Sequence, residues 1–259
     1  DTVYFGGGFE QYKIQPGTSS NIPEEHKLTF EQRQFIAENN GKQSAYGIPL
    51  TVGWSRDSRD SSLAPTTGMY QRLTGAVSPA GDLKYALASY RFQYYYPLNK
   101  QYTLAFNTDL AYGKGLGNKE YPFFKNLYSG GLGSVRGFDQ GALGPQRTAY
   151  DGSTYSVGGN KKFNVNLELI TPFPGAGNEK TLRMFGFVDA GNVYSDKAEK
   201  EGLYDLAINK DAKKIRTSAG VGIRWLSPMG PLSLAFGWPI KKYEGDKLQK
   251  VQFQIGTTF

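Results

Sequence analysis

The stretch Tyr102-Thr103-Leu104-Ala105-Phe106-Asn107-Thr108-Asp109-Leu110-Ala111-Tyr112 alternates without interruption. In an extended chain successive side chains point to opposite faces. Tyr102, Leu104, Phe106, Thr108, Leu110 and Tyr112 therefore share one face, and Thr103, Ala105, Asn107, Asp109 and Ala111 share the other. The apolar face ends in tyrosine on both sides, as a strand does when it meets two membrane interfaces. From Ile215 to Trp225 the split repeats, with Ile215, Ala219, Val221, Ile223 and Trp225 set against Arg216, Ser218, Gly220, Gly222 and Arg224. Arginines on a lipid-facing surface would cost about 2 to 4 kcal/mol each near the bilayer midplane. Their face must look into a lumen.

Working outward, the same alternation marks Val3 to Gln11, Ile48 to Trp54, Met69 to Val77, Ala86 to Tyr96, Phe163 to Ile170, Leu182 to Ala190, Leu232 to Ile240 and Val251 to Phe259. The total is about ten strands, the number of a small closed or closing wall. The connections alternate in kind. Ile14 to Ser44, Lys114 to Asn160 and Tyr194 to Lys213 are long; Tyr96 to Lys100, Pro172 to Lys180 and Ser227 to Pro231 are short. Long loops on one side and tight turns on the other predict an all-β, antiparallel, up-and-down transmembrane β-barrel. A soluble sandwich also alternates, but it needs a second sheet to cover its apolar faces, and none is set aside here. Within the first long loop, Leu28 to Glu38 predicts a short surface helix, because Thr29 and Gln32 have capping-box spacing and Gly41 can end it.

Composition agrees. Only 39% of the 259 residues are hydrophobic, while Gly (33), Tyr (18) and Phe (16) are abundant, and no apolar run is long enough for a transmembrane helix. The absence of cysteine fits an oxidising compartment. The formal charge of +7 does not form a nucleic-acid stripe. Lys210, Lys213, Lys214, Lys241, Lys242 and Lys247 gather in loops, as a solvated face or as a surface attracted to lipopolysaccharide phosphates. His26 is the only histidine and no nucleophile motif lies near it, so neither a catalytic triad nor a Cys/His metal site is expected, and no cofactor. The segment Trp54 to Asp60 alternates charges ahead of Pro65-Thr66-Thr67-Gly68 and reads as a neutralised turn.

One connection stands apart. Gly130-Gly131-Leu132-Gly133-Ser134-Val135-Arg136-Gly137-Phe138-Asp139-Gln140-Gly141-Ala142-Leu143-Gly144-Pro145 lies within a loop far longer than the usual limit of about 15 residues. Val135, Phe138 and Leu143 are poor choices for a solvated linker, and the glycines permit close backbone approach. An ordered loop folded back onto the protein is predicted.

Val135-Arg136-Gly137-Phe138 resembles the motif of the BamA family, the barrel subunit of the outer-membrane β-barrel assembly machinery, and of its protein-transporting relatives. Gly113 to Gly117, Glu120 to Phe123, Leu167 to Pro172, Trp225 to Pro231 and Phe253 to Phe259 are similar too, in family order, so the likeness covers nearly the whole chain. The turn before Pro65 is similar to the family's periplasmic turn.

The resemblance implies a function without bond chemistry, the folding and insertion of outer-membrane proteins in a Gram-negative outer membrane. It implies long extracellular loops at about 15–44, 114–160 and 194–213. It also implies that Arg136 docks against acids of the two strands after its loop, which here are Glu168 and Asp189; a solvated loop arginine is the plainer alternative. Parity already turns both acids inward, Glu168 with Asn164 and Asn166, and Asp189 opposite Leu182, Met184 and Val188. An acid–base pair made of these carboxylates is disfavoured.

In the last strand Val251, Phe253, Ile255, Thr257 and Phe259 share a face, and Gly256 interrupts the pattern. The resemblance makes Gly256 a bend that leaves a weak seam, where a substrate strand enters by β-augmentation. Implied partners are outer-membrane lipids and lipopolysaccharide, unfolded outer-membrane proteins, and assembly-machinery lipoproteins that bind mainly through periplasmic domains absent here; nucleic acid is not implied. Family barrels have about sixteen strands, so the chain, opening on a strand at Asp1, is expected to be a mature or truncated carboxyl-terminal portion. A protein-translocating or solute-conducting pore of the same superfamily is the alternative.

Overall fold

The computed structural model describes residues 1–18, 22–175, 181–228 and 230–256; Phe259 and Met229 lie outside them. Ten strands form one sheet in which each pairs antiparallel with its sequence neighbour. They are β1 (Thr2–Gly7), β2 (Leu50–Asp57), β3 (Gly68–Ser78), β4 (Tyr85–Pro97), β5 (Thr103–Gly115), β6 (Lys161–Pro172), β7 (Leu182–Tyr194), β8 (Arg216–Ser227), β9 (Gly230–Lys241) and β10 (Val251–Ile255). No ladder joins β1 to β10 among the described residues, so the barrel wall is open along that line. It nevertheless curves: the Arg183 guanidinium on β7 donates to the carbonyls of Ala64 and Pro65, in the turn between β2 and β3.

The first expected strand is shorter than the alternation suggested, and the described part of the last ends in a bend. The first leaves the wall at Gly7, and Glu10–Lys13 pairs with Ser44–Gly47 in a separate hairpin. Gly6-Gly7-Gly8 offers no side chains to pack, and Pro49 supplies no amide where β2 would begin earlier. The last strand is described as far as Ile255, after which Gly256 turns to φ +93°.

Register follows from parity, since a slip of one residue would turn every side chain over. Gln93, Asn107, Asn166, Asp189 and Ser218 are successive cross-strand partners and form a polar row on the inner face. One residue away, Phe106, Leu167, Val188, Ala219 and Trp238 form an apolar row on the outer face. Leu167, Val188 and Trp238 are exposed, an arrangement that water would penalise and lipid rewards. Tyr102 and Tyr112 are exposed as well. Ten residues at ~3.3 Å each, tilted by about 40°, span roughly 25 Å, the height of the apolar band of such barrels. Among the described residues no helix is long and apolar enough to cross a membrane.

The two edges of the wall differ. On one, Asn99 makes a tight turn by accepting the amides of Gln101 and Tyr102 at 2.8 and 2.9 Å. The charged turn on that edge is internally neutralised: Arg59 bonds Asp57, and the Asp60 carboxylate accepts the amides of Thr66 and Thr67. On the other edge lie the long loops. The first carries α1 (Phe30–Glu38), whose capping box joins Thr29 and Gln32 reciprocally and whose residues are nowhere buried.

Candidate functional site

The loop between β5 and β6 turns inward. Gly130, Gly131, Gly137, Gly141 and Gly144 all take positive φ, so the stretch coils tightly. Val135, Phe138 and Leu143 form a fully buried cluster inside the barrel. Val135 fits because Gly191 on β7 has no side chain; a Cβ there would lie 2.8 Å from the Val135 methyl. Ser129 and Asn164 bond side chain to side chain at 2.6 Å, tying the loop to β6.

At the centre sits Arg136, 4% exposed. Its Nη2 and Nε donate to the two oxygens of Asp189 at 2.6 and 2.7 Å, and its main-chain amide adds a third bond at 3.0 Å. Nη1 donates to Glu168 Oε1 at 2.5 Å. The planar fork thus engages both carboxylates, a geometry that an ammonium cannot copy. Asn166 donates to Asp189 and to the Ser134 carbonyl, and Arg224 reaches the other Glu168 oxygen at 3.5 Å. Two guanidinium groups meet two carboxylates, so the cluster is neutral in sum. The Arg136 guanidinium also lies 3.6 Å from the centre of the Phe187 ring. The rings of Phe185 and Phe187 lie across Gly222 and Gly220, where any Cβ would collide with them.

Asp189 takes four of these bonds and Glu168 two. Asp189→Asn is therefore expected to lower the thermal midpoint of the folded barrel more than Glu168→Gln, because it leaves the larger share of a buried cation uncompensated. Heat-dependent gel mobility of the two variants measures this; equal midpoints would show that the pairs contribute alike.

Directly across from the motif, the main chains of loop and wall touch. A Cβ on Gly137 would stand 3.0 Å from the Gly237 carbonyl oxygen, and one on Gly237 would stand 2.6 Å from the Gly137 nitrogen. Beyond this contact lies β10. Phe253 and Ile255 face outward and exposed, while Gln252 is buried and donates to the Phe138 carbonyl at 2.6 Å. Gly256 donates its amide to the Pro231 carbonyl at 2.7 Å, and among the described residues nothing lies within 4 Å of where its Cβ would stand. Among the described residues no three His, Cys, Asp or Glu side chains converge to hold a metal.

The model of the Omp85 superfamily domain matches residues 1–259, the whole chain. The chain belongs to the Omp85 superfamily. It is 39% identical over 275 residues to the outer membrane protein assembly factor BamA of Neisseria meningitidis serogroup B, covering all of this chain and 34% of that protein. Its likeness to the BamA of Nitratidesulfovibrio vulgaris is 30% over 266 residues, all of this chain and 31% of the other. The crystal structure of BamA from Haemophilus ducreyi lacking POTRA domains 1–3 superposes with a TM-score of 0.83 at 30% identity, over 97% of this chain and half of that one. The chain thus spans about a third of the length of these two curated relatives.

Several residues of this Omp85 site escaped the sequence reading. Gln252 and Phe187 are inward by the same parity that places Asp189, so the signal was present but unused. Gly237 has ordinary extended backbone, and its need for glycine arises only from a loop a hundred residues away. Tyr121, earlier in the same loop, was quoted only for its likeness; it covers Gly113 and is 8% exposed, and burial pushes its phenol up to about 12.

Proposed function

We propose that this chain is the carboxyl-terminal barrel portion of an outer-membrane protein assembly factor, which folds and inserts β-barrel proteins through a seam at β10. Val135, Arg136, Gly137 and Phe138, with Glu168 and Asp189, lock the loop inside the lumen, and Phe253, Ile255, Gly256 and Phe259 belong to the seam. The observation that carries this reading is the inequality of the two sides of the wall. The strands that flank the lock are 12 and 13 residues long, whereas β10 has five described residues, pairs on one edge only and is followed by a bend. An unpaired edge offers its amides and carbonyls to another chain's strand.

On this reading no covalent bond is made or broken and no cofactor takes part. The barrel sits in a Gram-negative outer membrane with the long loops outside the cell. Outer-membrane lipids, lipopolysaccharide and unfolded outer-membrane proteins are its partners, and assembly lipoproteins bind mainly through domains outside this chain. Lys213 and Lys214 already pair with Glu199 and Asp211, which leaves Lys241, the last residue of β9 rather than a loop residue, and Lys242 beyond it, both exposed, as contacts for lipid phosphates. The conducting-pore alternative is weakened by the buried loop, which fills the space a channel would need.

Gly256→Val tests the seam. A β-branched residue resists φ near +93°, and none of the described residues blocks it, so the strand is expected to straighten rather than clash. The rate at which the full-length protein assembles a model barrel in liposomes should fall severalfold while its thermal midpoint holds. Unchanged assembly, or a loss of stability alone, would remove Gly256 from the mechanism.

A further inference from the structure

The connection from Lys242 to Lys250, between β9 and β10, folds back over the lock loop. Its anchor is Asp246. Arg216, at the start of β8, donates Nη2 to Asp246 at 2.8 Å and Nε to both its oxygens at 3.2 Å, and each side chain is 3% exposed. The remaining guanidinium nitrogen of Arg216 donates to the carbonyls of Asp211, Ala212 and Lys214 at 2.9, 3.1 and 2.7 Å. The Tyr243 amide donates to Asp246 at 2.8 Å, and the Tyr243 ring lies 5.0 Å from the guanidinium. An arginine with this many fixed acceptors holds one rotamer, and it holds the connection with it.

Two residues further on, the connection meets the lock. Leu248 and Gln249 pair antiparallel with Phe138 and Gly137, and the Asp139 amide donates to the Lys247 carbonyl at 2.9 Å. The Gly237 amide donates to the Lys250 carbonyl at 2.8 Å, and Gln252 reaches Phe138. The residues that follow Arg136 are thus hydrogen-bonded to the lead-in of the terminal strand. The described ladder of β10 has five pairs, which is little with which to define register. The anchored lead-in supplies what the ladder lacks.

We propose that Arg216 and Asp246 are positioning residues of the seam: they clamp Tyr243–Gln249 onto the lock loop and thereby set the register and reach of β10, whose free edge receives the incoming strand. The proposal rests on the reading of β10 as a templating edge. A purely structural pair would lower the stability of the whole wall; a positioning pair loosens β10 selectively and changes assembly.

The test uses the full-length protein in liposomes, with Asp246→Ala and Asp246→Asn. Hydrogen–deuterium exchange is followed in peptides covering Leu248–Ile255 and, as reference, β6 and β7, alongside the assembly rate of a model barrel. The expected result for Asp246→Ala is exchange at least tenfold faster in Leu248–Ile255, with β6 and β7 unchanged, and assembly at least threefold slower. Asp246→Asn, which keeps the shape and an acceptor for the Tyr243 amide, should fall between, and it decides by the same criteria if the alanine variant does not fold. Exchange that is unchanged, or that rises equally in β6 and β7, overturns the proposal, as does faster exchange in β10 with assembly unaltered. Wild-type protein that assembles nothing would refute the proposed function instead, and the clamp would then stand or fall on exchange alone.

Discussion

Arg136→Ala is expected to release the loop from the lumen and to lower the thermal midpoint of the folded barrel by about 10 °C. The size follows from burial. Removing one partner of a buried, hydrogen-bonded ion pair costs about 3 to 5 kcal/mol, because the charges left behind stay desolvated, and each kcal/mol moves the midpoint of a chain of this length by about 2 to 4 °C. Here two carboxylates are stranded, one of them fully enclosed, and the cation that remains in reach among the described residues is Arg224, 3.5 Å from the second Glu168 oxygen. Arg136→Lys restores one charge but neither the fork nor the stack on Phe187, so it should recover less than half of the loss. Heat-dependent gel mobility reads stability, and protease cleavage within residues 130–145 reads loop release. A midpoint within about 2 °C of wild type would mean that the pair balances its own desolvation and that the apolar cluster of Val135, Phe138 and Leu143 holds the loop alone.

Gly237→Val is expected to be nearly as damaging, although the position carries no charge of its own. Overpacking ordinarily costs about 1 to 3 kcal/mol, because flexible side chains shift aside. At Gly237 the obstructing atoms are main chain, namely the nitrogen and α-carbon of Gly137 and the carbonyl carbon of Arg136, all within 3 Å of the added Cβ. Either β9 bulges or the loop leaves with Arg136. Gly186 on β7 is the control: a Cβ there meets only the Gly220 carbonyl, at 3.9 Å, so Gly186→Ala should leave loop protection from protease unchanged. Equal protection in Gly237→Val and wild type would show that the close approach is incidental. Gly137→Val should resemble Gly237→Val with added strain, since its φ of +88° disfavours any β-branched residue.

The wall was legible because strand geometry has a period of two and lipid is intolerant of charge. Every wall strand overlaps a segment marked by alternation, though several run past it, as Leu50–Asp57 and Leu182–Tyr194 do, and the inward placement of Asn164, Glu168, Arg216, Ser218 and Arg224 needed nothing beyond counting. Pairing among inward groups was a different matter. Parity turns Asp109 inward as well, yet it takes Lys162 at 2.7 Å, and no rule of alternation distinguishes it from Glu168 or Asp189 as a partner for a loop arginine. Only the family resemblance singled out those two. The Arg216–Asp246 clamp and the Gly137–Gly237 contact were illegible for a shared reason: each joins a strand to a loop whose path depends on tertiary contacts rather than on local periodicity. The early exit of β1 had a local signal in Gly6-Gly7-Gly8, which alternation of its neighbours outweighed in the reading.

The central claim is that the free edge of β10 pairs with the strand being inserted. Single cysteines placed at Gln252, Phe253 and Gln254 of the full-length protein, with cysteines scanned along the terminal strand of a model barrel arrested during assembly, measure this directly by disulfide capture. Capture is expected at pairs two residues apart in one antiparallel or parallel register, on the edge of β10 away from β9. Capture with no periodicity, or assembly at the wild-type rate when that edge is covalently closed, would contradict it.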